Sequence, residues 1–288
     1  MRSMATKWCA IFAVVVGVSS LAGCSAVSLV YGQASWLVGD YLAALADLDQ
    51  AQHNALVKQM ESVHQWHRRS ELPEYAGLLN DAISALDGGL TMEETQALYG
   101  RGLTHYQRLL GKVSAGIAPV YVNLRAEQIV TLEDNLNERD ADFKEQYAST
   151  DLSERKEKRR ERILERVENV IDDLSDAQKA MLATKSDAFP DSGPLWYDYR
   201  VVQQIRFLAL LKEKRDAGTI RQHLQAWLVD GTGRGERLTQ YSAKLKHQIS
   251  DLIVSIVESL DASQRRTLIQ QLTEYRDLVV ELSRETKA

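Results

Sequence analysis

A dense run of polar and aromatic side chains lies between positions 64 and 75 of the sequence. Imidazole and carboxylate groups bind divalent metals and transfer protons, so this run could carry chemistry. At about 100° per residue, the apolar stripe of Leu56, Met60 and Val63 includes His67, with His64 and Glu71 on its margin. Polar groups carried into an interior need partners there. The candidate binding or buried polar residues are His64, Trp66, His67, Arg68, Glu71 and Tyr75.

Three interpretations of this run stay open. In the structural one, which we favour, His67 and Glu71 hydrogen-bond each other or nearby backbone beside Pro73, and so fix the helix register. In the second, Trp66, Arg68 and Tyr75 line a binding groove. In the third and least favoured, His64, His67 and Glu71 hold a metal ion or act as acid and base. The sequence offers no second cluster of metal ligands, so we assign no catalytic residue and no metal.

Other kinds of chemistry find little support. The sequence has no Gly-x-Ser-x-Gly nucleophile motif. The glycines between Asp230 and Gly235 follow a helical pattern and lack the Lys-Ser/Thr ending of a phosphate-binding loop. Cys9 and Cys24 are the only cysteines, and neither is left free if Cys24 is lipidated as argued below. The formal net charge of −5 argues against a nucleic-acid partner.

The N-terminal segment has the features of a secretory signal. Arg2 and Lys7 precede an apolar run that is too short to span a bilayer, and Leu-Ala-Gly-Cys follows at residues 21–24. This tetrapeptide resembles the bacterial lipobox. The resemblance implies removal of residues 1–23 and attachment of fatty acids, palmitate among them, to Cys24, a permanent membrane anchor. Ser25 stands where an Asp would imply retention at the inner membrane, so we expect the periplasmic face of the outer membrane. We expect no cofactor besides this lipid.

The pattern of apolar residues predicts an all-α protein. Apolar positions recur at three- and four-residue intervals from Val27 onward, within a few residues of Cys24. Capping-box sequences predict helix starts near 49, 91, 125–131, 175, 219 and 261. Short connections imply an elongated antiparallel bundle of six or seven long helices. Residues 153–162 contain no apolar side chain, which predicts a solvated helix with i,i+4 ion pairs. This segment can divide the bundle into halves, 24–150 and 151–288, although a continuous bundle fits as well.

The sequence resembles a family of Gram-negative envelope lipoproteins that is itself of unknown function. The resemblance rests on the lipobox, on Trp36 and Asp40-Tyr41, on Leu48-Asp49, and on Trp66-His67-Arg68 with Glu71-Leu72-Pro73 and Tyr75. Later matching segments are Glu127–Ile129, Leu174–Gln178 and Leu260–Arg265. The chain departs from the pattern at Arg125, where a capping Ser or Thr is expected. The resemblance implies a location and a helical fold and transfers no activity.

These observations together predict a non-catalytic interaction or scaffold protein that is anchored to the outer membrane and docks an envelope protein partner. One alternative is a periplasmic chaperone-like stress protein, because small periplasmic chaperones also carry Leu-Thr-x-x-Gln helix caps. A less favoured alternative is an envelope enzyme that uses His64, His67 and Glu71. An open concave pocket around His67 would favour the enzyme, and a packed seam there would count against it.

Overall fold

The structure is a computed structural model that describes residues 23–284. Within this range the secondary structure is helical and includes no strand, so the all-α prediction is confirmed. In chain order the helices are α1 (Gly23–Gly32), α2 (Ala34–Leu45), α3 (Gln50–Trp66), α4 (Leu72–Gly88), α5 (Met92–Tyr121), α6 (Ala126–Tyr147), α7 (Leu152–Glu168), α8 (Asp176–Asp187), α9 (Gly193–Lys212), α10 (Ala217–Leu224), α11 (Glu236–Glu258) and α12 (Ala262–Arg284). Two π-helical segments follow α3 and α10, namely π1 (His67–Glu71) and π2 (Gln225–Asp230).

Several of these helices begin at the capping boxes that the sequence predicts. In each box the cap side chain accepts the backbone N–H three residues on, and that residue's side chain accepts the cap's own N–H. The predicted boxes are confirmed at Asp49, Thr91, Ser175 and Asp261. These four positions therefore set the starts of α3, α5, α8 and α12.

One predicted helix start, near 219, differs from the structure, and the start of α6 falls within the predicted range of 125–131. Helix α10 begins at Ala217, two residues before the predicted start, because Asp216 caps the backbone N–H of Thr219 at 3.0 Å. Helix α6 begins at Ala126, although Arg125 has no side-chain acceptor for a cap. The Gln128 side-chain oxygen still accepts the Arg125 N–H at 3.0 Å, so half of the box is kept. The described helices also outnumber the six or seven expected, because short breaks separate α1 from α2 and α6 from α7.

Neighbouring helices run antiparallel, as shown by contacts that pair early residues of one with late residues of the other. On α6 and α9, Asp140 pairs with Arg200 and Glu133 with Lys212. Helices α4 and α12 are distant in sequence but pack together through a small cluster that joins Leu72 to Leu278 and Leu282. The antiparallel bundle is therefore built from both sequential and distant helix pairs.

Three apolar clusters form the core. The first joins α2, α3, α5, α6, α9 and α10, and includes Leu56, Leu132 and Ile220, each at most 1% exposed. The second joins the end of α4 to α8, α11 and α12 around Leu182. Both combine residues from the two sides of position 150. The third cluster holds Val27 of α1 against α12. The division into halves at 150 stays a prediction, and these clusters cross it.

Helix α7 differs in part from the solvated helix that was predicted. It carries an expected i,i+4 ion pair, Glu154–Lys158 at 2.7 Å, and an i,i+3 pair, Glu157–Arg160 at 3.1 Å. No residue of this helix is fully buried, but the side chain of Arg155 is only 11% exposed and binds Asp191. An arginine on a stretch without apolar residues can still be partly covered when it finds a partner.

Of the predicted signal peptide, residues 1–23, all but Gly23 lie outside the described residues. Helix α1 begins at Gly23, so the helical backbone includes Cys24 and continues without a flexible tether. Among the helices of residues 23–284, none combines the length and apolar character needed to cross a bilayer.

Candidate functional site

The predicted polar run lies at a π-helical turn. Pro73 lacks a backbone N–H, and its ring would clash with the carbonyl of Arg69 four residues earlier in a regular α-helix. The chain avoids this clash through π1, in which the N–H of Leu72 bonds to the carbonyl of His67, five residues back. The helix therefore continues past Pro73 into α4, with one extra residue in the turn.

The extra residue carries Glu71 into the interior. Its side chain is fully buried, and its carboxylate lies 2.7 Å from His105 Nδ1 and 2.9 Å from Arg108 Nη2. Both partners belong to α5, one turn apart. Of the two arrangements left open, a hydrogen bond between His67 and Glu71 is absent among the described residues, since Glu71 bonds to His105 and His67 to Tyr31. Glu71 thus links π1 to α5 through a buried hydrogen bond to His105 and an ion pair with the half-exposed Arg108, and a buried carboxylate of this kind is costly to leave without partners.

His67 is held by aromatic residues. Its Nδ1 lies 3.0 Å from the Tyr31 hydroxyl of α1, and its ring packs edge-on against Tyr75. Burial, with a smaller contribution from His64, lowers the pKa of His67 to about 4, so the ring is neutral at physiological pH. Burial and the Glu71 charge raise the pKa of the Tyr75 hydroxyl to about 12.

The other candidates are distributed around this centre. The His64 ring contacts Tyr31 edge-on at 4.6 Å, and the Arg68 guanidinium lies over the same tyrosine at 5.2 Å. Trp66 points elsewhere: Lys112 Nζ lies 5.1 Å from its ring, and both border a cavity of about 660 Å³. The structure does not bring Trp66, Arg68 and Tyr75 to one cavity, since Trp66 opens toward α5 and π2 while the other two pack against α1 and α5.

The candidate metal set is not assembled. Across residues 23–284, no three His, Cys, Asp or Glu side chains converge in an arrangement that could hold a metal ion. His64, His67 and Glu71 are instead engaged separately. The geometry around His67 is a packed junction of α1, α3, α4 and α5 rather than an open reaction site.

A second concave site lies elsewhere and was not predicted. A cavity of about 570 Å³ opens between α5, α6, α7, α9 and π2, within the size range of small-molecule sites. Aromatic rings supply much of its wall. The aromatic lining residues are Tyr106, Phe143, Tyr147, Phe189, Trp196, Tyr199 and Trp227.

Arginines supply the polar part of this cavity. Two are neutralised: Arg155 binds Asp191 through the Nε and Nη2 edge of its guanidinium, and Arg200 binds Asp140. The other three stack on or lie among aromatic rings. Arg162 lies 4.6 Å from the Tyr147 ring and Arg234 lies 4.7 Å from that of Trp196. The lining arginines are Arg155, Arg159, Arg162, Arg200 and Arg234, against Asp191 as the only lining carboxylate of this cavity.

The sequence held a signal for this cavity. Arg155, Arg159 and Arg162 are spaced at intervals of four and three, which places them on one face of α7. The aromatic group after Pro194, Trp196 with Tyr199, is spaced in the same way. Each pattern alone is typical of a solvated or core-packed helix face. Only the tertiary fold brings the two faces to one cavity.

Comparison with known proteins identifies the family. Neither the curated proteins nor the solved structures give a match. A family model matches residues 40–233, which include π1, Glu71 with its partners and most of the arginine-lined cavity. The expectation of an uncharacterised family is thereby confirmed, while the lipobox lies outside the matched residues. The chain belongs to DUF6279, a family of unknown function.

Proposed function

We propose that this protein is an outer-membrane lipoprotein whose helical bundle acts as a non-catalytic interaction module on the periplasmic face. Fatty acids on Cys24 would anchor it, and the bundle would dock an envelope protein partner. The observation that carries the proposal is the direct junction between the anchor position and the folded body. Helix α1 begins at Gly23, and its Val27 is buried with Leu278 of α12.

A short junction holds the body against the membrane. Leu29 and Trp36, on the two helices that follow Cys24, are 69% and 48% exposed. Tryptophan favours the headgroup region of bilayers, where one edge is apolar and the other is wet. We therefore place this side of α1 and α2 against the lipid headgroups, with the rest of the bundle projecting into the periplasm.

A non-catalytic role agrees with the state of the polar groups near π1. The carboxylate of Glu71 is held between His105 and Arg108, and His67 is bonded to Tyr31. A general acid or base must reach a substrate proton, and these groups face other helices instead. We accordingly rank the interaction role above the enzyme alternative.

The anchor is tested by labelling cells with radioactive palmitate. We expect label in the wild-type protein and in Cys9→Ala, none in Cys24→Ala, and loss of membrane attachment in Cys24→Ala only. Label in Cys24→Ala, or a wild-type chain that fractionates as soluble material without lipid, would overturn the proposal.

The bilayer contact is tested with the lipidated chain in vesicles that contain brominated phospholipid, which quenches nearby tryptophan. Replacing Trp36 by Phe should remove most of the quenchable emission, whereas Trp66→Phe, the matched control, should leave it. In-cell crosslinking then tests the partner, and the absence of any protein crosslink across growth conditions contradicts a docking role.

A further inference from the structure

Three arginines of the cavity between α5, α7 and α9 have no acidic partner. Arg159, Arg162 and Arg234 form no ion pair within 4 Å with any carboxylate of residues 23–284, unlike Arg155 and Arg200 beside them. Arginine remains charged under physiological conditions, so the cavity holds an uncompensated positive charge. A site of this kind attracts anions.

Arg159 provides the sharpest indication. Its Nε and Nη2 are buried from solvent and have no hydrogen-bond partner. These two nitrogens form one edge of the guanidinium, and the same edge binds a carboxylate at both neighbouring sites. Arg155 uses it to hold Asp191, and Arg160 uses it to hold Asp187. On Arg159 this two-donor edge lacks its acceptor, and buried charged donors in that state are costly.

The walls of the cavity define the rest of the ligand. Leu110, Leu228 and Leu245 add aliphatic surface to the aromatic rings, and the volume of about 570 Å³ exceeds what an inorganic ion needs. Arg162 and Arg234 lie over aromatic faces of this cavity, where they add positive charge to its wall. A ligand that fits therefore combines an anionic head with an apolar body.

We propose that this cavity is a binding site for a small amphiphilic anion with a two-oxygen head, either a carboxylate or a phosphate monoester. The anionic head binds the Nε and Nη2 edge of Arg159 after the flexible side chain of Arg159 rotates. Arg162 and Arg234 supply further positive charge beside the head. The apolar body packs among Phe143, Trp196 and Trp227. The site is independent of the anchor at Cys24, because all its lining residues lie at or after position 106.

The test is calorimetric titration of the full-length lipidated chain in a nonionic detergent. The probes are phenyl phosphate, benzoate, neutral phenol and inorganic phosphate. We expect saturable heat with phenyl phosphate or benzoate, and affinity at least about tenfold lower for phenol and inorganic phosphate, since each lacks one half of the ligand. Equal affinity for phenol, or no saturable binding of either anion, overturns the proposal.

Variants locate the site. Arg159→Gln should weaken binding of the anionic probe at least about tenfold, because the bidentate contact is lost. Arg159→Lys keeps the charge but loses the two-donor edge, so it should also weaken binding. Arg166→Gln removes the same charge from the exposed side of α7 and should bind like wild type. Unchanged binding in both Arg159 variants, each checked for native circular dichroism, overturns the assignment.

A last titration separates soluble from lipid ligands. Phosphatidic acid with six-carbon chains, added below its micelle-forming concentration, competes with phenyl phosphate if the cavity accepts a lipid headgroup with its first chain carbons. Competition that Arg159→Gln abolishes identifies a lipid source of the phosphate. Binding of phenyl phosphate without such competition identifies a soluble ligand, and both results support the site.

Discussion

The side-chain amides of Gln178 and Gln264 hydrogen-bond each other in both directions, at 2.9 and 3.0 Å, although 86 residues separate them. Each amide oxygen also accepts the backbone N–H of the residue that caps its own helix. The Gln178 amide nitrogen donates to the carbonyl of Ser259, and the Gln264 amide nitrogen donates to the carbonyl of Asp173. Each of these carbonyls lies two residues before the other helix's cap. Gln52 and Gln128 repeat this arrangement. The capping boxes thus join helix starts in pairs as well as beginning helices.

Replacing Gln264 by Ala should therefore cost more than an ordinary cap. The change leaves a cap N–H, a carbonyl and the Gln178 amide without a buried partner, and we expect a loss of about 2–4 kcal/mol in the free energy of unfolding. Urea denaturation measures it. Gln270→Ala, on the exposed side of the same helix, is the control and should change stability by less than about 0.5 kcal/mol.

The pairing also predicts that the stability losses caused by the two substitutions do not simply add. If Gln178 and Gln264 act as one unit, Gln178→Ala combined with Gln264→Ala should cost less than the sum of the two single changes, by at least about 0.5 kcal/mol. A double-mutant cycle measures this difference. Additive losses would show that the reciprocal amide contact contributes nothing of its own.

Glu71→Ala should be among the most destabilising single changes in the protein. It removes a fully buried carboxylate and leaves His105 and Arg108 without their acceptor, for an expected loss of about 3 kcal/mol. Glu74→Ala, an exposed carboxylate on the next turn, is the matched control. Thermal unfolding of both variants is the measurement, and equal midpoints would contradict the structural role assigned to Glu71.

His67 should make folding sensitive to acid. Its pKa is lowered from 6.5 to about 4 in the folded chain, so the unfolded state takes up a proton first as the pH falls. Stability from the neutral ring is present above pH 6.5 and is lost between about 6.5 and 4, by up to about 3 kcal/mol.

Nuclear magnetic resonance titration of the His67 ring measures the pKa directly. Denaturation of wild type and His67→Gln at each pH then isolates its contribution, because other groups such as His223, whose pKa burial also lowers, are common to both. Parallel pH profiles for the two proteins would refute this effect of His67.

Two arginines of α7 should respond in opposite directions. Without ligand, Arg159→Met removes unpartnered buried donors and should raise the free energy of unfolding by about 0.5–2 kcal/mol. Arg155→Met breaks the contact with Asp191 and should lower the unfolding midpoint. Thermal denaturation compares them, and destabilisation by Arg159→Met would mean that its guanidinium already has an acceptor.

Local chemistry explains why the fold could be predicted. The boxes at Asp49, Thr91, Ser175 and Asp261 depend on residues three positions apart, which a sequence displays directly. At Arg125 the predicted start was less exact, since only the Gln128 half of the box is kept, and that half is secured by Gln52 from another helix. Such a long-range bond leaves no local trace in the sequence.

The site was harder to predict for a geometric reason. An angle of 100° per residue puts Glu71 on the margin of the buried stripe, but the structure buries its side chain completely at the end of π1. Its partners, His105 and Arg108, lie on α5 and depend on helix packing. Arg159 was assigned to a solvated face because an inward arginine and an outward one look alike in sequence.

The contact of Val27 with Leu278 and Leu282 has a consequence for how the molecule is made. Synthesis proceeds from the amino end, so Val27 of α1 cannot be covered by α12 until the last helix has been made. Contacts between such distant positions form late and slowly. During that interval the same surface can bind a chaperone or lie on lipid. Packing of α12 against α1 is then the final step, and it buries this surface.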